Sequence, residues 1–341
     1  MTYEPLVFDI LGGSTVKVDD CTWRYRDPND EEHFRHAVLS EECDSVWDKW
    51  RFMPVWLVND LIVEEVRQHA RKDDSTSDSK KKQETIAETM QALQSMPAHK
   101  EYFAKLQVHS DICGECFAEL EAKRLVSICA LEQDFITRAD SSSPEPAWRL
   151  ERQLKAMLQD ANLSVEVKLR LLLLYSATAE ADVTLHQRSE YSGLAGFEKE
   201  DDNVAQSHQW ANTVQQAKER YPLRTKVVAR RKQRLQQWTQ AKEANPQDAK
   251  LRRFQPRCRE LFEDACAGRL DSDDLTELAS KSPSSAGAAP QCVIVFILGG
   301  VTLPEVRVAR EVSAAVAGTD VYVGGSCLLT PKKVLATLRT L

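Results

Sequence analysis

A chain of 341 residues has room for about two domains and a sizeable core. Its 45 Lys and Arg against 52 Asp and Glu leave a net charge of −7, which excludes the broad basic surface of a dedicated nucleic-acid binder. With 42% hydrophobic and 28% charged residues the chain is too apolar for wholesale disorder, and its 12 Gly, about half the usual ~7%, favour helix.

In chain order, Leu6–Leu11 followed by Gly12-Gly13 predicts a short buried strand and turn, and Val16–Tyr25 alternates as a second strand. The acidic stretch Asp27–Asp48 leads into an amphipathic run from about Ser45 to Arg71, whose Trp47, Trp50, Val55, Leu57, Val58, Leu61 and Ile62 suit a helix entered near Pro54. Arg71–Lys82 has nothing apolar to bury and reads as a charged link. From Gln83 to Arg138 nearly every position favours helix, with one interruption at Pro97 and a Gly at Gly114. Asp140–Pro146 ends that tract by turn chemistry, and a second helical block runs from Trp148 through Leu174, broken at Asp160-Ala161-Asn162. Residues 187–222 are polar and weakly periodic, 223–243 predict a basic helix, and Ser280–Pro290 predicts a flexible linker.

After the linker, Val293–Leu298, Gly299-Gly300, a helix from Thr302-Leu303-Pro304-Glu305, a strand at Val321–Val323 and a helix from Thr330-Pro331 give the order strand, helix, strand, helix. A continuous apolar strand between helices predicts a parallel sheet buried on both faces. The fold expected is mixed α/β: a parallel-sheet α/β domain interrupted by a large, mainly helical insertion. Its pieces are residues 1–20, the first α/β piece; 21–147, a helical subdomain with a long hairpin; 148–255, a second helical subdomain; and 256–341, the C-terminal α/β piece.

The longest apolar run, Cys292–Leu298, is far short of the ~18 residues that span a bilayer, and Met1–Leu11 lacks a basic signal-type start, so a cytoplasmic, peripherally membrane-associated protein is expected. Nine scattered Cys fit a reducing compartment. Cys113 and Cys116 have the spacing of redox or zinc sites, but without a second pair the plainer reading is a core position; no metal and no cofactor are expected. Leu298-Gly299-Gly300 invites a phosphate-loop reading, against which stand the missing third Gly and Pro304, leaving a tight strand-to-helix turn as the alternative. The basic residues 224–234 could attract phosphates or simply pair with acidic segments of the same chain. No catalytic constellation emerges, so an enzyme is not expected. Phe103, Leu106, Ser110, Cys113, Phe117 and Leu120 recur at spacings of 3, 4, 3, 4 and 3, an a/d seam serving either an internal hairpin core or an intermolecular groove.

Several motifs together resemble the SM (Sec/Munc) family of syntaxin-binding vesicle-fusion regulators. Val293–Thr302 with Glu305, Arg307, Glu311-Val312 and Leu328–Pro331 is similar to the family's closing unit. Leu251–Pro256 through Leu261, Glu263-Asp264 and Leu270-Asp271 resembles the helix re-entering the second domain. Leu158–Asn162 with Lys168–Arg170 and Leu173–Tyr175 resembles the second helical subdomain. Met96-Pro97 with His109, Cys116 and Glu132–Asp134 resembles the third domain's hairpin. The resemblance implies SM-like domains 2 and 3 with domain 1 absent. It also implies a SNARE-binding regulator of vesicle docking and fusion that templates SNARE assembly on the hairpin. Partners would be syntaxin-type and vesicle SNARE helices, with no nucleic acid and only indirect membrane contact. The groove would comprise Pro97, Phe103, Leu106, His109, Ser110, Cys113 and Phe117, with Pro97 as a hinge and Ser110 at an otherwise apolar position. The alternatives are a degenerate scaffold without independent SNARE binding, or a nucleotide-binding enzyme using the glycine turn.

Overall fold

The computed structural model describes residues 3, 7, 16–17, 22–27, 30–74, 100–138, 145–179, 183–197, 254–270 and 290–338. The architecture is mixed and helix-rich, with small parallel sheets, and the chain divides into two compact units, residues 1–126 and 127–341. Pro97, residues 223–243, most of residues 187–222, most of the 280–290 linker and most of Leu6–Leu11 lie outside the described residues. Val7, from that last segment, is fully buried in helical rather than extended backbone, so the expected strand does not extend through it.

In the first unit, β1 (Val16–Lys17), β2 (Thr22–Asp27) and β3 (Asp30–Val38) form an antiparallel meander. β3 occupies what the sequence suggested was an acidic lead-in. Pairing in register with β2, from Thr22 opposite Val38 to Arg26 opposite Phe34, prevails over the low strand propensity of its acidic start. Trp23 of β2 is fully buried. Next come α1 (Ser45–Trp50) and α2 (Val55–Asp74), separated by a break at Arg51–Pro54, where Pro54 opens α2 without losing a helical donor. Val55, Val58, Ile62 and Val66 line the buried stripe of α2 at helical spacing. The helix runs three residues beyond Arg71, into the segment expected to be a link.

α3 (Lys100–Ala122) packs against α1 and α2. Gly114 lies within α3, as expected of a single Gly in a helical tract, where it costs only about 1 kcal/mol relative to Ala. A break that the sequence reading did not place comes at Arg124, whose φ of 52° puts a non-glycine residue in the left-handed region and ends the helix before α4 (Leu125–Thr137).

In the second unit, Ile128, Leu131 and Phe135 of α4 are buried, as are Leu150, Leu154 and Leu158 of α5 (Ala147–Gln159). The break expected at Asp160–Asn162 is present, and Ser164 then caps α6 (Val165–Thr178). α7 (Leu185–Ala195) falls where only weak periodicity was read. Its start is written locally, because Thr184 and Gln187 form a reciprocal capping box. The buried Lys168 side chain donates to the Ala195 carbonyl at 3.3 Å, placing a cation at the C-terminus of α7.

α8 (Cys258–Cys266) precedes β4 (Cys292–Ile297), β5 (Val301–Thr302), α9 (Leu303–Ala315), β6 (Asp320–Gly325), β7 (Leu328–Leu329) and α10 (Pro331–Leu338). β4 pairs parallel with β6 from Cys292 opposite Asp320 to Ile297 opposite Gly325, and β5 pairs parallel with β7. Phe262, Cys266, Val308, Ala309, Val312 and Val321 form a core against which Val293, Val295 and Val323 pack. The expectation of a sheet buried on both faces is corrected here. Ile294 is 76% exposed and Phe296 62%, because among the described residues α8 and α9 cover one face only and the strand alternates between them and water.

Candidate functional site

α3 carries the sequence-predicted groove, and its residues divide between two faces. Phe103, Leu106, His109 and Cys113 have no exposed surface, so they hold the helix inside its unit, while Ser110 is half-buried and Phe117 is 36% exposed. The 3-4 spacing therefore marks largely an inward seam, with Ser110 and Phe117 at its margin. Ile112 and Cys116, one residue off the seam, complete the buried side. Burial pushes the Cys113 thiol up to about 12 and raises Cys116 strongly as well. These are core thiols held in the protonated, unreactive form. Among the described residues no group of three or more His, Cys, Asp or Glu is arranged to hold a metal ion.

His109 is the polar centre of the inward face. Asp44, just ahead of α1, accepts through Oδ1 from the amides of Val46 and Trp47 at 2.9 and 3.0 Å, capping α1. Its other oxygen, Oδ2, lies 3.0 Å from His109 Nε2. Since an ionised carboxylate only accepts, Nε2 carries the hydrogen, and Nδ1 accepts from the Tyr3 hydroxyl at 2.9 Å. Trp47 stacks on the imidazole with ring centroids 6.2 Å apart and planes 14° from parallel, and Tyr3 meets it edge-on. Burial pushes the Asp44 carboxyl up, but the hydrogen bond and charge of His109 and the two cap amides outweigh it and leave Asp44 below its ordinary value.

Sequence reasoning found His109 and missed Tyr3 and Asp44. Asp44 was legible, as an acid directly before Ser45-Val46-Trp47 with the signature of a helix cap. Tyr3 carried no local signal, since its partners lie 50 and 106 residues away.

On the outward side of α3, Asp111, Glu115 and Glu119 follow one another at i, i+4 spacing. Burial raises the Asp111 carboxyl against an opposing hydrogen bond from Gln107, and burial, then the charges of Asp111 and Glu119, raise Glu115. The folded state therefore binds protons to higher pH than the unfolded chain, and stability falls as pH rises through the window above the ordinary carboxylate values. Glu115→Gln is expected to remove two like-charge pairs and raise stability at neutral pH by about 0.5 kcal/mol. Urea titrations at pH 7 and at pH 4 test this, the gain shrinking at the lower pH.

The glycine turn after β4 gives no cradle for an anion. The Glu305 carboxylate accepts from the Thr302 amide at 2.7 Å and hydroxyl at 2.8 Å, filling the N-terminus of α9. Gly300 and Gly325 serve packing: a Cβ on Gly300 would stand 2.7 Å from Leu329 Cγ, and one on Gly325 would stand 2.8 Å from the Val301 nitrogen.

The comparisons with known proteins agree with one another. The human vacuolar protein sorting-associated protein 45 is 22% identical, over 98% of this chain and 55% of its own length. Protein transport protein sec1 of Dictyostelium discoideum is also 22% identical, over 100% of this chain and 58% of its own. Among solved structures, the Unc18–syntaxin 1 complex from Monosiga brevicollis superposes with a TM-score of 0.73 at 20% identity, over 99% of this chain and 57% of that one. The SM protein Vps45 in complex with the Qa SNARE Tlg2 gives 0.65 at 16%, over 99% and 55%. The chain thus spans about half the length of these relatives, and the structural likeness is one of fold. The sequence motifs, that shared fold and a match of the Sec1 family model to residues 1–337 lead to one conclusion: the chain belongs to the Sec1 family.

Proposed function

We propose that this protein is a non-enzymatic, SNARE-binding regulator of vesicle docking and membrane fusion, which aligns SNARE helices on α3. What supports the reading is family membership over nearly the whole chain, together with solved relatives whose descriptions name syntaxin 1 and the Qa SNARE Tlg2 as partners. The mechanism is preorganisation. A helix fixed from within by Phe103, Leu106, His109 and Cys113 offers Ser110 and Phe117 at a rigid surface, so partner segments lose less entropy when they order against it. Pro97 acts in this reading as the hinge that ends the helix or lets it extend. The pieces 1–20 and 256–341 correspond to the family's second domain and the helical insertion to its third. The protein works in the cytoplasm, touching membranes through SNAREs; no helix among the described residues is long and apolar enough to cross a bilayer.

Titration calorimetry of the 341-residue chain with syntaxin-type and vesicle-SNARE helix peptides tests the reading. Ser110→Leu is expected to bury added apolar area against the partner and tighten binding about tenfold, equivalent to ~1.4 kcal/mol, and Phe117→Asp to weaken it at least as much. Absence of binding in the parent chain, or affinities that neither substitution moves, overturns it. If Ser110→Leu instead destabilises the fold with no gain in binding, position 110 packs inward and the docking surface is not here.

A further inference from the structure

The four sequence motifs meet in one set of side-chain contacts within the second unit. On α4, Glu132 accepts from Arg170 Nε of α6 at 2.7 Å, and its neighbour Gln133 accepts through Oε1 from the amide of Phe254, also at 2.7 Å. Phe254 opens a corner in which Gln255 and Pro256 are buried, and the Pro256 carbonyl accepts from the amide of Arg259 as α8 begins. From there the contacts run on to α9. Gln255 Oε1 accepts from Arg259 Nη1 at 3.3 Å, the same Nη1 donates to Glu311 Oε2 at 2.8 Å, and Arg259 Nε donates to Glu263 Oε1 at 3.0 Å. The other carboxylate oxygen of Glu311 lies 3.6 Å from Nε of Arg307, a buried residue one turn earlier on α9. One guanidinium thus holds three acceptors in directions set by its planar fork, which a flexible ammonium does not reproduce. Because the Arg259 and Glu311 side chains are only 13% and 27% exposed, solvent and salt screen this pair less than an exposed one.

We infer that Glu132, Gln133, Gln255, Arg259 and Glu311 form a strut that couples the helical layer of α4 and α6 to the layer of α8 and α9 over the sheet, so that the two layers open as one body. Residues 254–257 are the hinge that the strut holds shut. The two layers rest on separate cores: Ile128, Leu131 and Phe135 are buried along α4, whereas Phe262 and Cys266 of α8 pack with Val308, Ala309 and Val312 of α9 and with Val321 of β6. Neither core uses the strut, so its loss loosens the joint without melting either side, an opening smaller than global unfolding. α10 also packs on α6 and supplies the pivot about which a loosened joint turns. The coupling is a property of the fold and does not depend on what the protein binds.

Hydrogen exchange of the whole chain, read at the Phe254 amide, tests the strut, because that amide donates to Gln133 at the opposite end from Glu311. Glu311→Ala and Arg259→Lys are each expected to speed exchange at Phe254 about tenfold, while the Asp320 amide, which donates to the Gln291 carbonyl at 2.9 Å beside the sheet, keeps its rate. Arg259→Lys keeps the charge and carries the test if Glu311→Ala does not fold. Glu305→Ala is the control on the same helix: it removes the capping bonds to Thr302 and leaves the strut intact, so Phe254 should exchange as in the parent. In a double-mutant cycle, Gln133→Ala with Glu311→Ala (or with Arg259→Lys) should change the unfolding constant about threefold less than the product of the single effects, although the paired residues sit on different helices. Phe254 exchange that neither strut variant moves, or that Glu305→Ala moves equally, overturns the coupling. A cycle in which the effects simply multiply does the same, and makes the contacts independent of one another.

Discussion

Alanine at Gly325 or at Gly300 is expected to cost about 3 kcal/mol or more and to separate β5 from β7. At Gly325 the added Cβ would meet backbone, 2.8 Å from the Val301 nitrogen and 2.9 Å from the Gly300 carbonyl carbon, and backbone held by pairing on both sides cannot give way as a long side chain can. At Gly300 the Cβ would lie 2.7 Å from Leu329 Cγ and 3.0 Å from the Cys327 oxygen, in a residue whose φ of 122° already disfavours any side chain. The two changes press on the same crossing, so their costs should not add in the double variant. Two controls share the chemistry without the crowding. Gly299→Ala has a φ of 97° but nothing within 4 Å, so it bears conformational strain alone, about 1–2 kcal/mol. Gly114→Ala, with open space inside α3, should stabilise by about 0.8–1 kcal/mol. Denaturant unfolding ranks the four, and faster hydrogen exchange at the Val301 amide, which donates to the Cys327 carbonyl at 2.9 Å, locates the damage.

Asp44→Ala should cost a similar amount in the first unit, for a different reason. It removes the cap of α1, about 1 kcal/mol, and leaves His109 Nε2–H buried without an acceptor, a further ~1–3 kcal/mol. The sum, about 2–4 kcal/mol, should appear as a melting temperature lower by roughly 10 °C. Because the folded state holds the Asp44 carboxyl below its ordinary value of 3.8, its contribution is complete above that value and is lost as pH falls through the lower folded one. The gap between parent and variant should therefore stay constant from pH 8 down to about pH 5 and close only below about pH 4. A gap that closes between pH 7 and 5 instead would assign the effect to another group.

The helices were legible wherever start, stop and stripe agreed. Thr302 with Pro304 and Glu305 wrote the start of α9, and Asp160–Asn162 wrote the break before α6, because caps and turns act within four residues and leave their chemistry in the local sequence. β3 was missed because a strand owes its existence to the neighbour it pairs with, here β2, which no window on Asp30–Val38 reveals. The candidate site divides along the same line. Periodicity located α3 and its seam, and the resemblance singled out His109. That the seam faces mostly inward follows from the packing of α1 and α2 on α3 and from Tyr3, partners that periodicity does not name.

The Tyr3–His109 bond joins residues 106 apart in sequence, whereas β2 and β3 close on each other across a two-residue gap. During synthesis, at about 5 to 20 residues per second, Tyr3 waits roughly 5 to 20 s after its own incorporation before His109 has been added. The meander can pair during that interval at little loop-closure cost, while Trp47 and Asp44 stand without the imidazole that later stacks on Trp47 and bonds Asp44. The aromatic cluster of the first unit thus joins residues added far apart in time, and a nascent chain halted before α3 emerges would present Trp47 to the chaperones at the ribosome without the imidazole that stacks on it.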